Sequence, residues 1–135
     1  MAISVNDLHK HLIEWGYDAS LEPEEKKPPG KLYLTYDMTV KPEDVGMTSY
    51  EVKHKIMIDW VEAQPDTIST TVITLMGRVG TEYAMQDRFE IGEPKITRGD
   101  GVQYRGNNEI MFRATGTLYY IMLPVYWVQW VTIDL

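Results

Sequence analysis

Few residues in this chain have the type and spacing that catalysis or metal binding requires. His9 and His11 are two positions apart in a segment with helical spacing, so their side chains point in different directions and cannot share a metal ion. His54 lies on the apolar face of an alternating segment. There we expect a hydrogen-bonded structural histidine, because a catalytic one would need a nucleophile and an orienting acid beside it.

The remaining polar clusters point to a solvated surface. Glu22, Glu24 and Glu25 share a proline-rich segment with two lysines, which is typical of an exposed charge run and not of an acid–base pair. No serine stands in a nucleophile-elbow sequence, and the glycines of 77–80 and 99–101 lack the spacing of a phosphate-binding loop. The sequence therefore predicts that the protein is not an enzyme and uses no cofactor and no metal.

Composition narrows the class of protein further. The 135 residues fit one domain, 1–135, with 44% hydrophobic and 24% charged residues. The net charge is −7 and no basic cluster is visible, which argues against gripping nucleic acid but suits a surface that DNA slides past. There is no cysteine, no apolar run of about 20 residues and no basic-then-apolar start, so we expect no disulfide, membrane span or signal peptide.

The elements that must position any site are dominated by one stretch, residues 48–79. From Tyr50 to Trp60 apolar side chains alternate with mostly polar ones, which predicts a strand over 50–62 with one core face. Pro65-Asp66 stops that strand, with Asp66 as a plausible N-cap, and apolar residues at helical spacing predict a helix over 66–83. Its many threonines and two glycines oppose a helix, but the apolar stripe continues for over four turns.

Weaker signals complete the order of elements. Val5, Leu8, Leu12 and Trp15 predict a first helix, with Ser4 or Asn6 as its cap and Gly16 as its end. Further strands are predicted over 31–40, 88–97 and 109–123, with turns at 100–101 and 106–108 and a break at Pro124 before a last strand.

These elements predict an α+β fold. We expect a mainly antiparallel sheet of four to five strands packed with two helices, plus a C-terminal strand or arm. Residues 18–30 are expected to form an exposed linker, and 41–49 a loop longer than a hairpin needs.

Two segments carry apolar side chains on a second face. Met57 and Val61 interrupt the polar face of strand 50–62, which predicts a contact surface. The segment 124–135 is apolar on both faces, so it is either an ordinary last strand packed under a helix or an arm that docks on an adjacent copy. If it is an arm, deleting 125–135 leaves a folded protein that no longer assembles. The predicted interface residues in this segment are Tyr126, Trp127, Trp130 and Val131.

The order and spacing of the segments resemble the tail-terminator (tail-completion, neck) proteins of long-tailed bacteriophages. The resemblance rests on VNDLHKHLIEWG, on the pair KLYLTYDM and YEVKHKIMIDWVEA, on DTISTTVITLMGRV, and on RFEIGEPKI and NEIMFRATGTLYYIM. It covers most of the chain but not 18–30 or 124–135, and the family has no sharp motif.

The resemblance implies a virion protein without catalytic residues, assembled in the host cytoplasm. Its homo-hexameric ring would cap the tail tube, end tube polymerisation and join the tail to the head connector. DNA would pass through the lumen without specific binding. On this view the 41–49 loop, with Lys41, Glu43, Asp44 and Met47, lies at the lumen or at an axial contact.

Two other classes remain open. One is another structural phage protein, from the neck, the head-completion set or the baseplate. The other is a small enzyme or a ligand-binding domain whose pocket is lined by tyrosine and tryptophan. Size in solution separates them, because a stable monomer that binds a small molecule contradicts the structural interpretation.

Overall fold

A computed structural model describes residues 4–21, 29–43, 48–100, 103–106, 109–113 and 117–133. The chain has an α+β fold in which two helices accompany one mixed sheet of six strands. Its elements, in chain order, are α1 Val5–Glu14, β1 Ala19–Ser20, β2 Leu32–Pro42, β3 Ser49–Glu62, α2 Ile68–Tyr83, β4 Glu90–Ile91, β5 Lys95–Asp100, β6 Gln103–Gly106, β7 Glu109–Arg113 and β8 Thr117–Thr132.

The sheet is built around β3, the strand with the strongest alternation in the sequence. Its order is β1-β2-β3-β8-β4, and β5 also pairs with β8. Because β3 occupies one side of β8 along almost its whole length, β4 and β5 follow each other along the other side. Only β1 and β2 are parallel, and β6 and β7 form a separate hairpin. The predicted α+β class and mainly antiparallel sheet are confirmed at this level.

Both helices pack on the same face of the sheet, which we call the helix-side face; the opposite one is the outer face. Even-numbered residues of β3 and odd-numbered residues of β8 face the helices. The buried core joins them to both helices and comprises Leu8, Leu12, Leu32, Leu34, Ile56, Ile58, Trp60, Ile68, Val72, Leu75, Val79, Tyr83, Ile121, Leu123, Val125 and Trp127.

Helix α1 begins and ends as the sequence predicts. The Ser4 hydroxyl accepts a hydrogen bond from the backbone N–H of Asp7 at 3.1 Å, and the Asp7 carboxylate accepts one from the Ser4 N–H at 3.2 Å. This reciprocal capping satisfies two N–H groups that the first turn leaves without helical partners. Gly16 follows the helix at φ +93°, a left-handed conformation that glycine adopts without a Cβ clash.

Helix α2 confirms that periodicity outweighs propensity in this segment. Ile68, Val72, Leu75, Val79 and Tyr83 are buried along one stripe. Most threonines lie on the exposed side, where the Thr71 and Thr81 hydroxyls donate to backbone carbonyls four residues earlier. Asp66 is not the cap, because a 3-10 turn over Pro65–Thr67 precedes the helix and places Thr67 at the N-cap.

The prediction that Pro124 ends a strand is wrong. Strand β8 runs unbroken from Thr117 to Thr132, and Met57 of β3 stands opposite Pro124. A residue in a strand directs its N–H and C=O to the same side, and Pro124 accepts a hydrogen bond from Gly92 of the β4 side at 2.9 Å. The missing N–H of Pro124 therefore points away from β3, so the β3–β8 ladder loses no bond.

Other strand boundaries also differ from the sequence-based expectation. The predicted strand 109–123 is divided between β7 and β8, and 88–97 contains β4 and the start of β5. The turn expected at 100–101 does not connect paired strands, since β5 pairs with β8 and β6 with β7. The strands on either side of the predicted 106–108 turn do pair, with Gly106 opposite Glu109, while 107 and 108 lie outside the described residues. Part of the predicted 18–30 linker is β1, and 22–28 lie outside the described residues.

Candidate protein interface

His54 is a structural residue, as the sequence predicts. Its Nδ1 is hydrogen-bonded to the Tyr36 hydroxyl and its Nε2 lies 3.1 Å from Gln129 Oε1. The amide oxygen can only accept, so Nε2–H donates to Gln129 and Nδ1 accepts from Tyr36. The ring also stacks on Trp127, with 4.8 Å between centroids. With both nitrogens used and an aromatic ring on one face, His54 joins β2, β3 and β8.

The other two histidines also make separate contacts. His9 Nε2 lies 2.9 Å from the Ala19 carbonyl oxygen, which ties α1 to β1. His11 Nδ1 is hydrogen-bonded to the Tyr83 hydroxyl, and its Nε2 lies 3.4 Å from Glu82 of α2. Burial of the phenol raises the pKa of Tyr83. Within the described ranges, no group of three or more His, Cys, Asp and Glu residues is placed to hold a metal ion.

A groove beside α2 bears on the ligand-binding alternative. It measures about 460 Å³ and is lined by Trp15, which follows α1, and by Ile73, Arg78 and Glu82 of α2. Its polar groups lie on the exposed side of α2, whereas a ligand pocket typically directs a few polar groups inward from buried positions. The geometry of the groove therefore gives little support to a small-molecule site.

The predicted interface residues fall on two different faces of the sheet. Met57, Tyr126 and Trp130 share the outer face with Val61, whereas Trp127 and Val131 are on the helix-side face. Val61 and Trp127 are each only 1% exposed, so neither offers a monomer surface. Trp130 is 45% exposed, and Met57 and Tyr126 are half-buried. The structure thus retains three of the six predicted residues as one accessible outer-face group.

Cations accompany the aromatic members of this outer-face group. Lys55 Nζ lies 5.8 Å from the centre of the Tyr126 ring, and the Arg88 guanidinium lies 5.1 Å from the Trp130 ring. The Trp130 indole N–H donates to the Asp87 carboxylate. These contacts restrain two large aromatic side chains that remain partly accessible, a combination suited to protein contact.

The predicted lumen loop is shorter than the sequence suggested. Strand β2 runs to Pro42 and β3 begins at Ser49, so the connection covers residues 43–48. Lys41 and Glu43 are exposed, while the predicted Asp44 and Met47 lie outside the described residues. A hydrogen bond between the Glu43 and Glu51 carboxyl groups raises the pKa of Glu43 and lowers that of Glu51. At this end of the hairpin the Glu43 and Glu51 carboxyl groups are therefore paired with each other. Lys53 Nζ lies 3.5 Å from the Glu51 carboxylate.

One accessible surface was missed from the sequence. Tyr36, Met38 and Val40 are assigned to an apolar strand face by their alternation, and they lie on the helix-side face of β2. They are nevertheless 41%, 49% and 58% exposed. Strand β2 lies near the margin of the sheet and is buried only from Leu32 to Leu34, and alternation alone does not reveal either property.

Comparison with known proteins does not assign the chain to a family: no protein-family model and no curated protein sequence matches it. None of the described helices is long and apolar enough to cross a membrane.

Proposed function

We propose that this chain is a structural virion protein of the tail-terminator type, a subunit of a ring that ends tail-tube polymerisation and joins the tail to the head connector. It acts without catalysis, and its partners are further copies of itself, the tail tube and the connector. The ring is a homo-hexamer located at the tail or neck of the particle, and DNA passes through its lumen without specific contacts.

The observation that carries this proposal is the accessible apolar group on the outer face of the sheet. Both described helices cover the helix-side face of the sheet, while the outer face presents Met57, Tyr126 and Trp130. Large side chains of this kind, two of them with a cation beside the ring, are the type that anchors protein interfaces. A ring subunit requires such a surface, because each copy contacts its neighbours through a repeated patch.

The net charge supports the assignment of a DNA passage. At −7 per chain, a hexameric ring repels the phosphate backbone, so DNA passes without adhering. The exposed Lys41 and Glu43 at the end of the β2–β3 hairpin are suited to a lumen or axial position. Replacing 43–48 with a short turn is expected to preserve folding and impair assembly, and unchanged assembly would count against this placement.

Electron microscopy of the purified protein, alone and mixed with tail tubes, tests the function directly. The expected result is a six-fold cap on tube ends and an arrest of tube growth. A Met57→Lys variant should fold but fail to cap, because it places a charge within the outer-face group, whereas Thr70→Lys on the exposed side of α2 should cap normally. Tubes that stay uncapped and continue to grow in the presence of the wild-type chain would contradict the proposal. Location at a head vertex or baseplate would instead indicate one of the other structural roles.

A further inference from the structure

Within the described ranges, one side of strand β2 has no neighbouring strand for most of its length. On one side it pairs with β3 from Tyr33 to Pro42, and on the other β1 covers only Leu32 and Tyr33. We call the uncovered side of Leu34–Pro42 the open edge. Among the described residues, no strand pairs with it.

Two hydrogen bonds determine which residues face the open edge. The Glu43 N–H donates to Ser49 of β3 at 2.8 Å, so odd-numbered residues of β2 face β3. The Leu32 N–H donates to Asp18 on the opposite side at 2.8 Å, so even-numbered residues face the open edge. The backbone groups of Leu34, Tyr36, Met38 and Val40 therefore point outward.

The residues of the open edge are adapted to its exposure. The Met38 N–H is occupied by the Asp37 carboxylate at 2.8 Å, a local substitute for a strand partner. Pro42 is even-numbered, so its missing N–H falls on the open side and costs no bond to β3. The apolar row Tyr36, Met38 and Val40 nevertheless stays exposed beside this edge, an arrangement that unpartnered edge strands generally avoid.

We infer that the open edge pairs antiparallel with the open edge of a second copy of this chain, about a two-fold axis through Thr39. In this register Met38 lies opposite the partner's Val40, and Asp37 lies opposite the partner's Lys41. The two apolar rows become one continuous stripe, and two pairs of opposite charges form across the contact. Asp37 leaves the Met38 N–H, which then donates to the partner's Val40 carbonyl oxygen.

Charge complementarity selects this register. Only even-numbered residues offer backbone groups to the edge, so permitted registers differ by steps of two residues. One step in one direction places Asp37 opposite the partner's Thr39, and one step in the other places it opposite the partner's Glu43. Of these three registers, only the one centred on Thr39 sets Asp37 against a lysine, and the register that would bring Asp37 to the partner's Lys31 is blocked by β1 at Leu32 and Tyr33.

The open edge can accept a second copy, whereas the opposite margin of the sheet cannot. The edge of β8 that points away from β3 is occupied by β4 and β5. Beyond them, the Val128 N–H donates to the Asp87 carbonyl oxygen at 2.9 Å. A self-complementary two-fold contact also closes on itself, which produces dimers and not fibres. The inference goes beyond the proposed ring, because it concerns the free protein before assembly and uses a different surface.

A cysteine placed on the two-fold axis tests the register. The chain contains no cysteine, so Thr39→Cys introduces the only thiol. Thr39 faces the partner's Thr39 in a non-hydrogen-bonded pair with Cα atoms about 4.5 Å apart, within the range of about 4.4–6.8 Å that a disulfide spans. Mild oxidation is expected to convert the variant to a covalent dimer.

Thr35→Cys is the matched control. Thr35 is an exposed threonine on the same strand and the same face, but its two copies would lie roughly 27 Å apart in this register. It should remain reduced under the same conditions. Cross-linking of Thr39→Cys no faster than that of Thr35→Cys would overturn the inference.

A charge exchange tests the same contact without cross-linking. Wild-type protein is expected to show a dimer mass by light scattering at high concentration. Asp37→Lys places lysine opposite lysine and should weaken the dimer at least tenfold, whereas adding Lys41→Asp to the same chain should restore it. A wild-type chain that stays a monomer at about 1 mM, or a double variant as weak as Asp37→Lys, would overturn the inference. Tube capping is measured separately, so failure of the dimer and failure of the ring are distinguishable.

Discussion

The two margins of the sheet are protected in different ways. Along β8, two short strands and a loop carbonyl take up the outward backbone groups, and Gly92 and Pro124 come into close contact. Along β2, the protection found within the described ranges consists of the two residues of β1, the Asp37 carboxylate and Pro42. The difference shows that the β8 margin is completed within the chain, whereas the described part of the chain leaves most of the β2 margin uncovered, as the inferred pairing with a second copy requires.

Of the changes that test this difference between the margins, removal of the C-terminal half of β8 should reduce the stability of the protein most. Residues 125–135 include Val125 and Trp127, which are buried in the core, and pair with β3 from Ser49 to Ile56. We therefore expect the truncated chain to lose its cooperative unfolding transition in urea, contrary to the arm hypothesis drawn from the sequence. A truncated chain that unfolds cooperatively would show that the segment is an arm after all.

The two tryptophans of this segment lie on the same strand, but Trp127 is buried and Trp130 is partly exposed, so their substitutions should have different effects on stability. Trp127→Ala should lower the free energy of unfolding by about 3–5 kcal/mol, because it leaves a cavity beside His54. Trp130→Ala removes a ring that is 45% exposed and should cost less than about 1.5 kcal/mol. Equal losses in urea denaturation would contradict the assignment of the two faces.

A substitution at Gly92, next to β4, tests how closely this part of the chain packs against β8. A Cβ at this position would lie 2.7 Å from Pro124 Cγ and 3.0 Å from Tyr126 Cε2. Because the proline ring cannot move aside, Gly92→Ala should cost about 1–3 kcal/mol of stability.

The matched substitution lies in α2, where a Cβ at Gly77 meets nothing within 4 Å. Gly77→Ala should raise the free energy of unfolding by about 1 kcal/mol, since alanine is the better helix former. Thermal unfolding of both variants checks the opposite signs. A Gly92→Ala protein as stable as wild type would show that the β8 margin is loosely packed.

The smallest effect on monomer stability is expected at the open edge. Val40 is 58% exposed, so Val40→Lys should change the free energy of unfolding of the dilute monomer by less than about 0.5 kcal/mol. The same substitution should abolish self-association, because it places a charge within the apolar stripe. A large loss of stability at high dilution would show that Val40 packs within its own chain.

The sequence predicts the core of this fold well and its margins poorly. Alternation in 50–62 and helical spacing in 66–83 identify β3 and α2, because both patterns depend on local burial of one face. The break expected at Pro124 is wrong, because its effect depends on which side of β8 carries the neighbouring strand. That neighbour is β4, which lies within the predicted strand 88–97, but the sequence does not indicate that it pairs with β8 beside Pro124.

The candidate interface shows the same limit. Met57 and Trp130 are accessible, as a contact residue must be, but the predicted Val61 and Trp127 prove to be buried. The open edge was not foreseen, because the order of strands within the sheet is a tertiary property. Sequence alternation distinguishes the two faces of a strand, and it does not distinguish a central strand from one at the margin.

Amide hydrogen exchange at two protein concentrations tests the central claim most directly. In dilute protein the Tyr36 and Val40 amides should exchange quickly, while those of the odd-numbered Thr39 and Lys41, directed at β3, should be protected. At high concentration the Tyr36 and Val40 amides should gain protection and the Thr39 amide should not change. Protection of Tyr36 and Val40 that is high in dilute protein, or that stays low at every concentration, would contradict an open edge that awaits a second copy.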